Sequence, residues 1–169
     1  MKVSNKELLE ISVNIERGCQ AFYKELANHI ADPFVKSYLL LMAKDEAHHE
    51  KQFESILGEK GDQKYGWENS SALRELIDKH LKPGLYPPLE GMLKNLSQFE
   101  GVQKALTIAK KNEELAVKFY RALRENCEDF KTMSLLMTLE VEEKSHCDFI
   151  QTAINHWEKQ PGSSCQHLF

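Results

Sequence analysis

A chain of 169 residues with 41% hydrophobic and 28% charged residues is long enough for one domain with a sizeable core, and its balance is that of a globular protein. A net charge of −4 and a pI near 6.0 argue against nucleic acid or an anionic membrane as partner. No apolar run nears the roughly 20 residues of a membrane span, and the start MKVSNKELLE is too polar for a secretory signal peptide, so the cytoplasm is the expected location.

In chain order, Ser4-Asn5-Lys6-Glu7 has the spacing of a capping box, with Ser4 as N-cap and Glu7 as its reciprocal partner. It predicts a helix to about Ile30, whose apolar stripe is Leu9, Val13, Cys19, Tyr23, Leu26 and Ile30. Asp32-Pro33 is an N-cap followed by proline at the first helical position, so a second helix starts at once and runs to about Leu57, with Gly58 as its C-terminal cap. Residues 58–97 then break the pattern with Gly58, Gly61, Gly66, Pro83, Gly84, Pro87 and Pro88. A short helix is expected over 71–80 and another turn over 89–95. A third helix follows over about 99–127 and a fourth over about 130–159. Nowhere does alternation persist long enough for a sheet. The linker easily spans the roughly 38 Å length of a 25-residue helix. The expected architecture is therefore all-α: two helix hairpins, 4–57 and 98–159, joined by a long crossover in a four-helix bundle over 1–160, with a flexible tail at 161–169.

The four cysteines, Cys19, Cys127, Cys147 and Cys165, form no Cys-x-x-Cys pair and spell neither a zinc nor a rubredoxin-type iron site. Cys19 reads as a small core residue. In the tail, Cys165 and His167 carry little functional weight.

Six residues carry the chemistry. Glu16, Glu46 and His49 recur as Glu113, Glu143 and His146, and 113−16, 143−46 and 146−49 all equal 97. The surroundings recur with them: Phe22-Tyr23 matches Phe119-Tyr120, Asp45-Glu46 matches Glu142-Glu143, and Asp32 matches Asp129. A lone Glu-x-x-His is ordinarily a solvated surface pair. A duplicated set of one Glu plus one Glu-x-x-His is the ligand pattern of two metal ions inside a four-helix bundle. All four glutamates fall on apolar stripes, and burying even one unpaired carboxylate is costly. Four carboxylates carry −4 and two divalent cations +4, and a carboxylate-rich set with one imidazole per metal suits iron(II) or manganese(II). His48 has serine as its counterpart at 145 and reads as peripheral. Glu50, Glu114, Glu140 and Glu142 lie off the stripes, as surface charges or as groups supporting a ligand from behind. Tyr23 and Tyr120 read equally as core aromatics or as hydrogen-bond donors into the site.

The segments Glu16-Arg-Gly-Cys-Gln-Ala-Phe-Tyr23, Asp45-Glu46-Ala-His-His49, Glu113-Glu-Leu-Ala-Val-Lys-Phe-Tyr120 and Glu142-Glu143-Lys-Ser-His146 resemble the ferritin-like superfamily and, within it, the rubrerythrin family. The resemblance covers about residues 4–159. It implies a non-haem di-iron centre, two iron ions with manganese or zinc as substitutes, held by Glu16, Glu46, His49, Glu113, Glu143 and His146, with Glu46 and Glu143 bridging and Glu16 and Glu113 terminal. It also implies reduction of hydrogen peroxide or oxygen, a cytoplasmic homodimer and no membrane or nucleic-acid partner. Rubrerythrins proper carry a rubredoxin domain with Cys-x-x-Cys pairs. None occurs in these residues, so electrons are expected from a separate donor protein. Peroxide-reducing members also tend to have an additional Glu one turn from the third-helix ligand. Lys110 and Ala116 occupy those positions here, which leaves an iron-handling, ferroxidase-type role or a structural metal site as the competing expectations.

Overall fold

The computed structural model describes residues 2–58, 63–82, 87–93 and 96–159. The six helices in them are α1 (Asn5–Asn28), α2 (Pro33–Leu57), α3 (Ser71–Leu76), α4 (Leu89–Leu93), α5 (Gln98–Glu125) and α6 (Phe130–Trp157). There is no strand among the described residues. The chain is an all-α, ferritin-like bundle in which α1 packs on α2 and α5 on α6. The expected tail at 161–169, with Cys165 and His167, lies outside the described residues.

Both hairpins turn in the same way. Asp32 accepts hydrogen bonds from the Phe34 and Val35 amides at 3.0 Å, and Asp129 accepts one from Thr132 at 2.8 Å, so each second helix starts on a capped end. α1 stops at Asn28, earlier than expected, because the chain must leave helical geometry before Asp32-Pro33. Ile30 still enters the core from the turn. The stripe of α1 is also rotated slightly from the expected one. Leu8 is fully buried, Leu9 only partly, and Ser12 sits in the core between them and Glu16.

Helix α1 lacks the anticipated capping box. Ser4 accepts from the Glu7 amide at 3.1 Å, but the Glu7 carboxylate takes two hydrogen bonds from Arg74 Nη1, at 2.8 and 2.9 Å, with Lys82 Nζ 3.2 Å away. A guanidinium is a stronger partner than a backbone amide, and Arg74 holds the Glu7 carboxyl below its ordinary range. The complete capping box lies instead at Ser97 and Glu100, opening α5.

The crossover packs closely against the hairpins. Its α3 continues as a π-turn, Ile77–Leu81, over the expected span, and packs against α5. Before it, Tyr65 and Trp67 stack at 4.6 Å between ring centroids and are fully buried. The Tyr65 hydroxyl donates to the Ile56 carbonyl and the Trp67 indole to Asn5, while the Glu128 amide donates to the Tyr65 carbonyl. The crossover thus fastens α1, the end of α2 and the α5–α6 turn together at one end of the bundle. This path requires Gly66, whose φ of 105° lies in the left-handed region and whose missing Cβ would come within 2.5 Å of the Asn126 carbonyl oxygen. Gly66→Ala is expected to lower stability by about 2 kcal/mol or more. A urea denaturation midpoint that falls at unchanged slope would register it.

Candidate metal centre

All six residues singled out by the repeat are at most 2% exposed. They converge at mid-bundle from α1, α2, α5 and α6. Two groups form: Glu16, Glu46, His49 and Glu143, and Glu46, Glu113, Glu143 and His146. Within each, one potential ligand atom per residue lies within 4.8 Å of the others. Glu46 and Glu143 belong to both groups. Adding 97 to Glu16, Glu46 and His49 yields Glu113, Glu143 and His146, and Glu143 less 97 is Glu46, so the sequence repeat exchanges one group for the other.

The two imidazoles stack with centroids 5.8 Å apart. Each presents Nδ1 to the interior. His49 Nδ1 lies 2.9 Å from Glu143, 3.0 Å from Glu46 and 3.7 Å from Glu16. His146 Nδ1 lies 3.3 Å from Glu46, 3.4 Å from Glu143 and 3.9 Å from Glu113. The Tyr120 hydroxyl donates to Glu16 Oε1 and its ring stacks on Phe53, so the second of the two readings of this tyrosine is the observed one. Tyr23 is likewise fully buried.

Electrostatics reflect the crowding. Burial, with the neighbouring carboxylates Glu46 and Glu143 adding to it, pushes Glu16 well above the ordinary glutamate value of 4.5 despite the opposing pull of His49. Burial and Glu143 do the same to Glu113 against the pull of His146. Burial alone would lower both histidines, but the carboxylates around them prevail and raise them far above 6.5. Glu143 runs the other way: burial would raise it, but contact with both imidazoles and Glu113 holds it low. Glu16, Glu113 and both imidazoles therefore hold their protons more tightly than an open site would, and divalent cations entering the site would have to displace them.

The donor set fits such ions by a second criterion. Glu16 Oε2, Glu46 Oε1, both Glu143 oxygens and His146 Nδ1 are buried without a hydrogen bond of acceptable geometry. Buried polar atoms are almost always satisfied, and these unsatisfied atoms all face one another across the two groups. Oxygen-rich donors with one imidazole per group match a hard or borderline divalent metal such as iron(II) or manganese(II).

A family model described as rubrerythrin matches residues 7–154. The chain belongs to the rubrerythrin family. A solved structure described as a hypothetical protein from Pyrococcus furiosus has a similar fold, with a TM-score of 0.70 and 21% identity over 91% of this chain and 90% of that one. No curated protein sequence matches. No helix among the described residues is long and apolar enough to cross a membrane.

Around this rubrerythrin-family site the remaining expectations resolve individually. His48 is exposed and pairs with Gln52. Glu50 binds Arg17, Glu140 binds Arg121 and Arg124, and Glu114 lies 3.8 Å from Lys110, so these three are charges of the outer faces. Glu142 instead reaches a ligand candidate, with Oε2 3.1 Å from His49 Nε2. Cys19 is buried, and its thiol is raised by burial and then by Glu46, Glu113 and Glu16, which places it beside the carboxylates. The described cysteines Cys19, Cys127 and Cys147 are all free. Ser12 and Thr132 are buried polar groups that periodicity did not flag, Ser12 because serine at a stripe position looks like an interruption.

The raised groups have a consequence for pH. Between the unfolded values, about 4.5 for Glu and 6.5 for His, and the higher folded values, the metal-free protein holds more protons than its unfolded chain. Its stability therefore falls as pH rises through that window. Metal binding must displace the same protons and strengthens with pH. The melting-temperature increment produced by manganese(II) is expected to widen steadily from about pH 5.5 to 7.5, checked by calorimetry of metal-free and metal-loaded protein. In the metal-free state Glu113→Gln is expected to raise the melting temperature while reducing metal uptake, because a neutral amide removes a carboxyl whose ionisation the site opposes.

Proposed function

We propose that the protein is a non-haem di-iron oxidoreductase that reduces hydrogen peroxide or oxygen with electrons from an external donor protein. The observation that carries this reading is the sharing of Glu46 and Glu143 between two otherwise separate donor groups, since two shared carboxylates suit a coupled pair of ions better than two independent ones. In this reading Glu16, His49, Glu113 and His146 complete the two sets, each imidazole through Nδ1. These residues would hold the metals, and a ferrous pair held there would supply two electrons, which with two protons would balance the reduction of one hydrogen peroxide to two waters.

The chain's own residues have definable parts. Tyr120 holds Glu16 Oε1 by its hydroxyl and leaves Oε2 directed into the donor group. The buried Tyr120 phenol keeps one exchangeable proton beside Glu16, where a reduction could draw on it. Leu39, Met42, Leu139 and Ile150 are buried within one or two helical turns of the donors on α2 and α6. A cleft of about 340 Å³ between α2 and α6, lined by Lys44, His48, Ser145 and Phe149, reaches the outer edges of both imidazoles.

An iron-handling role is the alternative, and one observation favours it. Lys110 is engaged with Gln151 at 2.7 Å and Ala116 is a buried methyl, so neither third-helix position offers an additional carboxylate. Stopped-flow absorbance separates the readings. Anaerobically iron-loaded protein is expected to bind two irons per chain, to oxidise on mixing with peroxide or oxygen, and to return to the ferrous state with a rubredoxin-type donor. Oxidation that no donor reverses would move the assignment to iron handling, and inertness to both oxidants would leave a structural metal site. Glu143→Ala, which removes a donor from both groups, is expected to reduce the iron content to one or fewer per chain and to abolish the oxidation.

A further inference from the structure

The outer nitrogens of the two imidazoles are treated differently by the two halves of the molecule. His49, on α2, directs Nε2 across to Glu142 of α6 at 3.1 Å. His146, on α6, directs Nε2 across to Asp45 of α2 at 3.5 Å, outside good hydrogen-bond range. The pairs are repeat equivalents, because 142−45 and 146−49 are both 97. Each acidic residue directly precedes a glutamate of the centre and crosses to the other hairpin's histidine. One half uses glutamate and the other aspartate, which is shorter by a methylene. Both carboxylates are 43% exposed and stand in the same cleft between α2 and α6, whereas both rings are buried.

An imidazole that binds a metal through Nδ1 carries its remaining proton on Nε2. A carboxylate accepting that proton fixes the tautomer and the ring plane and makes the ligating nitrogen more basic, effects whose loss typically weakens metal binding 10- to 100-fold. Contact distance decides how much of this each ring receives. At 3.1 Å Glu142 acts on His49 directly; at 3.5 Å Asp45 acts on His146 mainly through its charge, weakened by the water of the cleft.

We propose that the unequal reach of Glu142 to His49 and of Asp45 to His146 makes the two metal positions unequal, the one served by His49 being the tighter. The inference rests on the metal-centre reading above. It assigns a source of asymmetry to a site whose six donors are otherwise exchanged by the repeat.

Cobalt(II) is the probe, because its bound visible spectrum reports ligand geometry without redox turnover. Competition titration of the unmodified protein is expected to give two ions per chain with distinct dissociation constants. Glu142→Ala and the isosteric Glu142→Gln should weaken the tighter ion by about 10- to 100-fold, shift its absorption bands and bring the two constants together. Asp45→Ala should weaken the other ion by less than about threefold, and Asp45→Glu should tighten it, since the longer chain can close the gap to Nε2. Melting temperatures of the metal-free variants are expected to stay near the parent's, because both positions are partly exposed. Two cobalt ions bound by Glu142→Ala with unchanged constants and spectrum, or weakened equally at both positions, would overturn this assignment while leaving the metal centre intact. Failure of the unmodified protein to bind two cobalt ions would overturn the metal-centre reading and this inference with it.

Discussion

Four carboxylates at the centre of a helical bundle need positive charge beside them, and the rest of this structure is arranged around that requirement. Isolated in the interior, each would face a desolvation penalty of several kcal/mol. In the metal-free protein the raised carboxyls of Glu16 and Glu113 and the two protonated imidazoles meet the requirement with protons. Divalent ions would meet it in place of those protons.

The scaffold has to hold those side chains in register from four helices, and it does so with locally redundant devices. Each hairpin begins its second helix on an aspartate cap, which sets the level of the Glu-x-x-His that follows. The crossover fastens to the first hairpin through Tyr65, Trp67 and the Arg74 contact to Glu7, and to the second through the Glu128 amide on the Tyr65 carbonyl.

Elements governed by local pattern were legible in the sequence: four long helices with boundaries within a few residues, both aspartate caps, the short helix in the crossover, and six residues, repeating at a spacing of 97, that converge inside the bundle. What escaped the pattern depends on partners far along the chain. Glu7 has the spacing of a capping residue, but Arg74, 67 positions away, outcompetes the backbone amide. Glu142 has the spacing of a surface charge and looks no different from Glu140 until α2 brings His49 to it and α5 brings two arginines to Glu140. Helical periodicity reports which way a side chain points, not which charge it will meet.

The same limit bears on how a symmetric site can perform directional chemistry. A duplicated hairpin supplies two equal donor groups, and equal groups offer no reason for one metal position to load first. Among the departures from the repeat, three lie next to the donors: Cys19 against Ala116, Ser12 against Ala109, and Asp45 against Glu142. The first two change the polarity of the interior beside Glu16 and leave its counterpart beside Glu113 apolar. The third changes the support of the imidazoles. The donors themselves leave little room for adjustment, because each one is part of a donor group and changing it changes what the group can hold. Tuning is therefore left to the neighbours, where a methylene or a hydroxyl can be altered without disturbing the charge balance on which the bundle depends.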